Sequence, residues 1–138
     1  MRDNEKQVVL LPCSGIGKTF GALGREIAYE VVERLRPGIA VVTCLPLLMI
    51  EDVDAKKLVT ENPVISIDGC PFDCARKSVK SIGVEVSHAY RAIDFFKAHK
   101  DLKPDGIVEL NDAGKRLAAV AAEELAEEVD RLVAKGNE

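Results

Sequence analysis

Tryptophan is absent from this 138-residue chain, and aromatic side chains make up only 4% of it. That scarcity argues against a surface that grips nucleic acid by stacking bases. There is no basic excess either: 19 Lys and Arg stand against 23 Asp and Glu, a net charge of −4. Non-specific binding to nucleic acid or to an anionic membrane needs a basic surface, so neither partner is expected. Long hydrophobic runs are also missing. The longest apolar stretch, residues 39–50, is interrupted by Thr43, Cys44 and Pro46 and falls short of the roughly 20 residues that span a bilayer. The apolar run at residues 8–12 follows a charged start and is far too short for a signal-peptide core. These absences lead to the expectation of a soluble, cytoplasmic protein.

What is present suits one globular domain over residues 1–138: 47% apolar and 30% charged residues. A chain of this length buries about 68–70% of its unfolded surface and can fold without covalent staples. The four cysteines, Cys13, Cys44, Cys70 and Cys74, are therefore expected as reduced thiols rather than a disulfide framework.

The apolar pattern predicts alternating strands and helices. Val8-Val9-Leu10-Leu11, Ile39-Ala40-Val41-Val42 and Val64-Ile65-Ser66-Ile67 are short runs of the kind found in strands buried on both faces. Between the first two, Phe20, Leu23, Ile27, Val31 and Leu35 recur at three- and four-residue steps, one face of a helix that Pro37-Gly38 ends. A shorter helix is expected over residues 52–61, stopping before Pro63. Another is expected from Pro71 to about residue 82. Val84-Glu85-Val86 reads as a fourth, more exposed strand and residues 88–100 as a helix. Residues 107–110 fit either a short strand or an approach to a helix. A long helix is expected from Asn111 to about Lys135, with Leu117, Val120, Leu125, Val129 and Leu132 inward and Glu127 paired to Arg131 outside. The alternation predicts a three-layer, Rossmann-like α/β domain: a mainly parallel sheet of about four strands flanked by helices. Ligands of such sheets bind beyond the carboxyl ends of the strands.

The cysteines fall on that edge. Cys13, Cys44 and Cys70 each follow the carboxyl end of a predicted strand, and Cys74 lies one helical turn beyond Cys70. If the first strand lies between the second and third, neighbouring strands are about 4.8 Å apart. A tetrahedral zinc with Zn–S near ~2.3 Å needs sulfurs roughly 3.8 Å apart, which side-chain adjustment could supply. The start of the Pro71 helix would offer unpaired amides and a dipole to the Cys70 and Cys74 thiolates. One buried cysteine is ordinarily a small apolar filler; four on one rim point to a shared thiol function. The spacing is not that of a zinc ribbon, nor is Cys70-x-x-x-Cys74 the thioredoxin spacing.

Leu11-Pro12-Cys13-Ser14-Gly15, Thr43-Cys44-Leu45-Pro46 and above all Ile67-Asp68-Gly69-Cys70-Pro71-Phe72-Asp73-Cys74 resemble the DGC-domain family, small prokaryotic proteins with a central Asp-Gly-Cys motif. The resemblance covers nearly the whole chain. It implies zinc binding through Cys13, Cys44, Cys70 and Cys74 and supplies no reaction. An iron–sulfur cluster uses the same ligand count. An enzyme with a thiolate nucleophile is the alternative of a different class, with Cys70 the first choice and the turn at residues 14–19 as anion cradle.

Gly17-Lys18-Thr19 also looks like the end of a phosphate-binding loop, but that pattern requires glycine where this chain has Pro12. Proline lacks the N–H and the freedom at φ that wrapping a phosphate needs. A strand–turn–helix junction is the plainer reading, with Lys18 and the turn amides left as a possible small-anion site. Asp68 is expected to cap a local turn. His88 is expected at a surface or cap position and His99 at a helix end. Arg25, Glu26 and the Glu123, Glu124, Glu127, Glu128 group are expected on solvated helix faces.

Overall fold

The computed structural model describes residues 7–13, 15–69 and 71–136. Four strands, β1 (Val8–Pro12), β2 (Ala40–Val42), β3 (Val64–Asp68) and β4 (His88–Arg91), pair in parallel in the order β2-β1-β3-β4. The apolar runs of β1 and β3 explain their inner places: Val8 to Leu11 and Val64 to Asp68 are all buried, as strands covered on both faces must be. Side chains alternate between the faces. Val8, Leu10, Ile65 and Ile67 join one core with α1 (Thr19–Tyr29) and α6 (Asp112–Gly136). Val9, Leu11, Cys13 and Val64 join another with α2 (Leu45–Met49), α3 (Val53–Glu61) and α4 (Cys74–Ser81). Each fully buried Leu or Ile contributes about 1.5–3 kcal/mol. The fold is the expected three-layer α/β arrangement.

Several local expectations need correction. α1 ends at Tyr29, and residues Glu30–Leu35 continue as a π-helical stretch. α2 was not foreseen; it carries Pro46 in its first turn, where the missing N–H is harmless. α3 begins as expected after Asp52, whose carboxylate accepts the Ala55 N–H at 3.0 Å. α4 begins at Cys74, not at Pro71, and residues 71–73 lead into it without joining the helix. The fourth strand is His88–Arg91 rather than residues 84–86. Its pairing with β3 opens at the Ser87 N–H bond to the Val64 carbonyl, 2.8 Å. Val84 and Val86 pack half-buried on the α4 side while the chain climbs to the edge, and so look like a strand without pairing. The helix after β4 is consequently short, α5 (Ala92–Ala98), with His99 at its end. Residues 107–110 form neither strand nor helix, although Leu110 is buried.

α6 packs Leu117, Leu125, Val129 and Leu132 inward as expected, but Val120 is exposed. Arg131 pairs with Glu128 rather than Glu127. His88 is a strand residue, stacked on Tyr90 with ring centroids 4.0 Å apart and 3.5 Å from Glu128. Among the described residues no helix is long and apolar enough to cross a membrane.

Candidate functional site

The connection leaving β1 runs to α1 on one face, whereas those leaving β2 and β3 run to α2, α3 and α4 on the other. Chains that diverge in this way leave a crevice beyond the strand ends. Cys13, directly after β1, sits at its centre. The residue is 4% exposed. Its N–H extends the ladder to the Ile67 carbonyl at 2.9 Å, and its Sγ accepts the Gly69 N–H at 3.1 Å. A backbone donor of this kind favours negative charge on sulfur.

Asp68, Gly69 and their neighbours show why the loop after β3 lies so close. Asp68 is 1% exposed beneath α4. Its carboxylate accepts the N–H groups of Ala75 at 2.7 Å and Arg76 at 3.3 Å, two of the four donors a helix start leaves unpaired. Burial raises the Asp68 carboxyl above its usual range, and these two bonds oppose the shift. Asp68 thus caps a helix rather than only a local turn, and it takes two amides that were expected to serve thiolates.

Gly69 is needed for contact. A Cβ there would stand 2.6 Å from the Gly21 nitrogen, and one on Gly15 (φ +52°) would stand 2.4 Å from the Gly21 Cα. The loops after β1 and β3 therefore both press on the first turn of α1 at Gly21.

The far end of the β3 loop is held by charge. Asp73 is buried and left-handed (φ 53°). It receives the Arg91 Nε at 2.9 Å and Nη2 at 2.6 Å, a bidentate pair, and Arg76 Nη2 at 3.1 Å. The Arg91 guanidinium holds the Asp73 carboxyl below its usual range, against the opposing effect of burial. Arg91 ends β4, so this clamp ties the loop to the sheet edge.

Cys13 and Cys44 are brought together: both line a cavity of about 370 Å³ at the ends of β1 and β2. Cys44 is exposed and immediately precedes α2. Cys74, the first residue of α4, opens onto a neighbouring depression beside Met49, Phe72 and Lys77. Cys70 and Ser14 lie outside the described residues. Among the described residues no three Cys, His, Asp or Glu side chains come together as a metal ion would require. Lys18 is exposed, and its N–H closes the preceding turn on the Gly15 carbonyl at 3.1 Å.

A family model for the DGC domain matches residues 9–114. The chain belongs to the DGC domain family. The matched span contains all four cysteines, both strand-end loops and the Asp68-Gly69-Cys70 motif of the DGC domain. In this DGC domain Asp68 caps α4, and Gly69 admits α1 and donates to Cys13. Neither a search of curated proteins nor one of solved structures returned a match.

Two residues of the cavity escaped the sequence reading. Arg25 and Tyr29, expected on a wet helix face or not singled out, line it beside the two thiols. Gly21, Arg25 and Tyr29 are four residues apart on one ridge of α1, but spacing alone does not say that this ridge faces the strand ends.

Proposed function

We propose that the protein binds zinc through cysteine thiolates at the carboxyl edge of its sheet, for metal or thiol-ligand handling. The observation that carries this reading is the meeting of Cys13 and Cys44, distant in sequence, on one cavity. The Gly69 N–H on the Cys13 sulfur supports it further, being the outer hydrogen bond that commonly orients a metal ligand. The donor chemistry fits: among the described residues the cavity lining contains two thiols and neither carboxylate nor imidazole, a soft set that suits zinc or iron–sulfur rather than magnesium or calcium. Cys13 and Cys44 are the pair on which the reading rests; Cys70 and Cys74 complete a four-thiolate set in the proposal. Reduced thiols of this kind belong in the cytoplasm.

Elemental analysis and an absorption spectrum of anaerobically purified protein test the proposal. About one zinc per chain without visible bands is the expected result. Brown colour with iron and sulfide replaces zinc with a cluster. No metal, together with one thiol titrating near pH 7 in its alkylation rate, supports a thiolate nucleophile instead.

A further inference from the structure

The side of the molecule formed by α2, α3 and α4 carries an apolar patch. Met49, Ile50 and Val53 follow one another around the turn from α2 into α3, and Phe72 precedes α4. They are 48%, 74%, 78% and 69% exposed. Met49 and Phe72 line one depression of about 390 Å³, whose remaining described wall is Cys74, Lys77, Ser78 and Ser81. Large apolar side chains gathered on a surface, rather than scattered singly, mark an interaction site.

Charge divides around this apolar centre. On the α4 side Lys77 and Lys80 are exposed, and the helix Cys74–Ser81 contains no acidic residue. On the α2–α3 side stand the exposed Glu51 and Asp54. Among the described residues Lys77, Lys80 and Asp54 have no ion-pair partner, and Glu51 meets Lys56 at 3.0 Å, a weak bond at the surface. A patch with an apolar middle, acid on one side and base on the other is complementary to itself. A half-turn lays the basic side of one copy on the acidic side of the next. A foreign partner of one charge would match only half of it.

We infer that two copies of this chain pair about a two-fold axis through this patch. The Phe72 ring of each enters the depression beside the partner's Met49, and Lys77 and Lys80 of each lie against the partner's Glu51 and Asp54. The depression has room for the ring, since about 150 Å³ suffices for benzene. Aromatic and methionine side chains at the centre with charges at the rim are the usual anatomy of an interface. The net charge of −4 on each copy opposes pairing only weakly at physiological salt, where charges more than about 8 Å apart are screened. Four apolar side chains and four charges on each copy make a small interface, so pairing of about micromolar strength is expected. The inference goes beyond the metal reading and does not depend on it.

Sedimentation velocity of the whole chain under reducing conditions tests the pairing, with metal content measured on the same samples. A shift from one to two chain masses is expected between about 1 and 100 μM, with no larger species. Phe72→Ser should weaken self-association by about tenfold or more, as should Lys77→Glu with Lys80→Glu, and Glu51→Lys with Asp54→Lys. Equimolar mixing of the two charge-reversed proteins should restore pairing, because every acidic side chain at the interface then meets a basic one. Phe72 is exposed, so its variant leaves the core intact and keeps the test open should a charge-reversed protein fail to fold. A monomer up to about 500 μM, growth beyond two copies, unchanged association in Phe72→Ser, or no recovery in the mixture would each overturn the pairing. The first of these would leave the patch to a different protein. Failure of the metal reading alone would show as absent metal with the dimer intact.

Discussion

Asp68 is the residue whose role is clearest in energetic terms. Its carboxylate replaces two missing acceptors at the start of α4. Asp68→Ala is therefore expected to lower stability by about 1–2 kcal/mol in denaturant titration, as other lost helix caps do. Because burial raises its carboxyl in the folded state, the folded protein holds that proton more tightly than the unfolded chain. Asp68's contribution thus favours folding at low pH and fades as pH rises from the ordinary 3.8 through the raised folded value.

Asp73 works with the opposite sign. Its carboxyl is lowered, so its contribution is present above the ordinary 3.8 and is lost as pH falls through the lower folded value. Asp73→Asn, which tolerates the left-handed backbone, should flatten the acid limb of a stability–pH profile and cost about 1–3 kcal/mol at neutral pH. An unchanged acid limb would contradict the Arg91 clamp. Ser66 offers a reverse case. Its hydroxyl is fully buried with no hydrogen-bond partner, so Ser66→Ala is expected to raise stability by about 1 kcal/mol.

Among the elements, β1 and β3 were legible because unbroken apolar runs have one good place, the middle of a parallel sheet. β4 was not. Val84 and Val86 display strand-like alternation, yet they pack on the α4 side before any ladder forms, and the paired residues His88 to Arg91 carry little apolar signal. α4 was misplaced for a related reason. Pro71 fits a helix start in isolation, but Asp68 selects the amides of Ala75 and Arg76, and a cap six or more residues upstream leaves no local pattern. Arg25 was hidden because its place depends on the contact of Gly21 with Gly15 and Gly69, which no single segment reveals. That contact makes a prediction at the level of the elements. Gly21→Ala or Gly69→Ala must force α1 away from the loops after β1 and β3, costing about 2 kcal/mol or more. Either change should also alter the reactivity of Cys44, measured by alkylation rate; an unchanged rate in both would contradict the contact.

For the molecule as a whole, topology converts separate sequence signals into one place. The order β2-β1-β3-β4 puts β1 between the other two cysteine-bearing strand ends. Cys13 and Cys44 consequently share a cavity, and the Asp-Gly step before Cys70 closes on Cys13. Cys74, at the start of α4, lines a separate depression, and Cys70 lies outside the described residues. Binding of a metal to the folded state alone would add stability by mass action. Chelation should then lower the thermal midpoint of the wild type and have less effect on Cys13→Ser, read by calorimetry.

The most direct test of the proposed centre is X-ray absorption at the metal edge of protein purified without added chelator. The proposal requires a zinc edge and a sulfur shell at about 2.3 Å, weakened in Cys13→Ser and in Cys44→Ser. A first shell of oxygen and nitrogen alone near ~2.0–2.1 Å, or a sulfur shell unchanged in both variants, would contradict it.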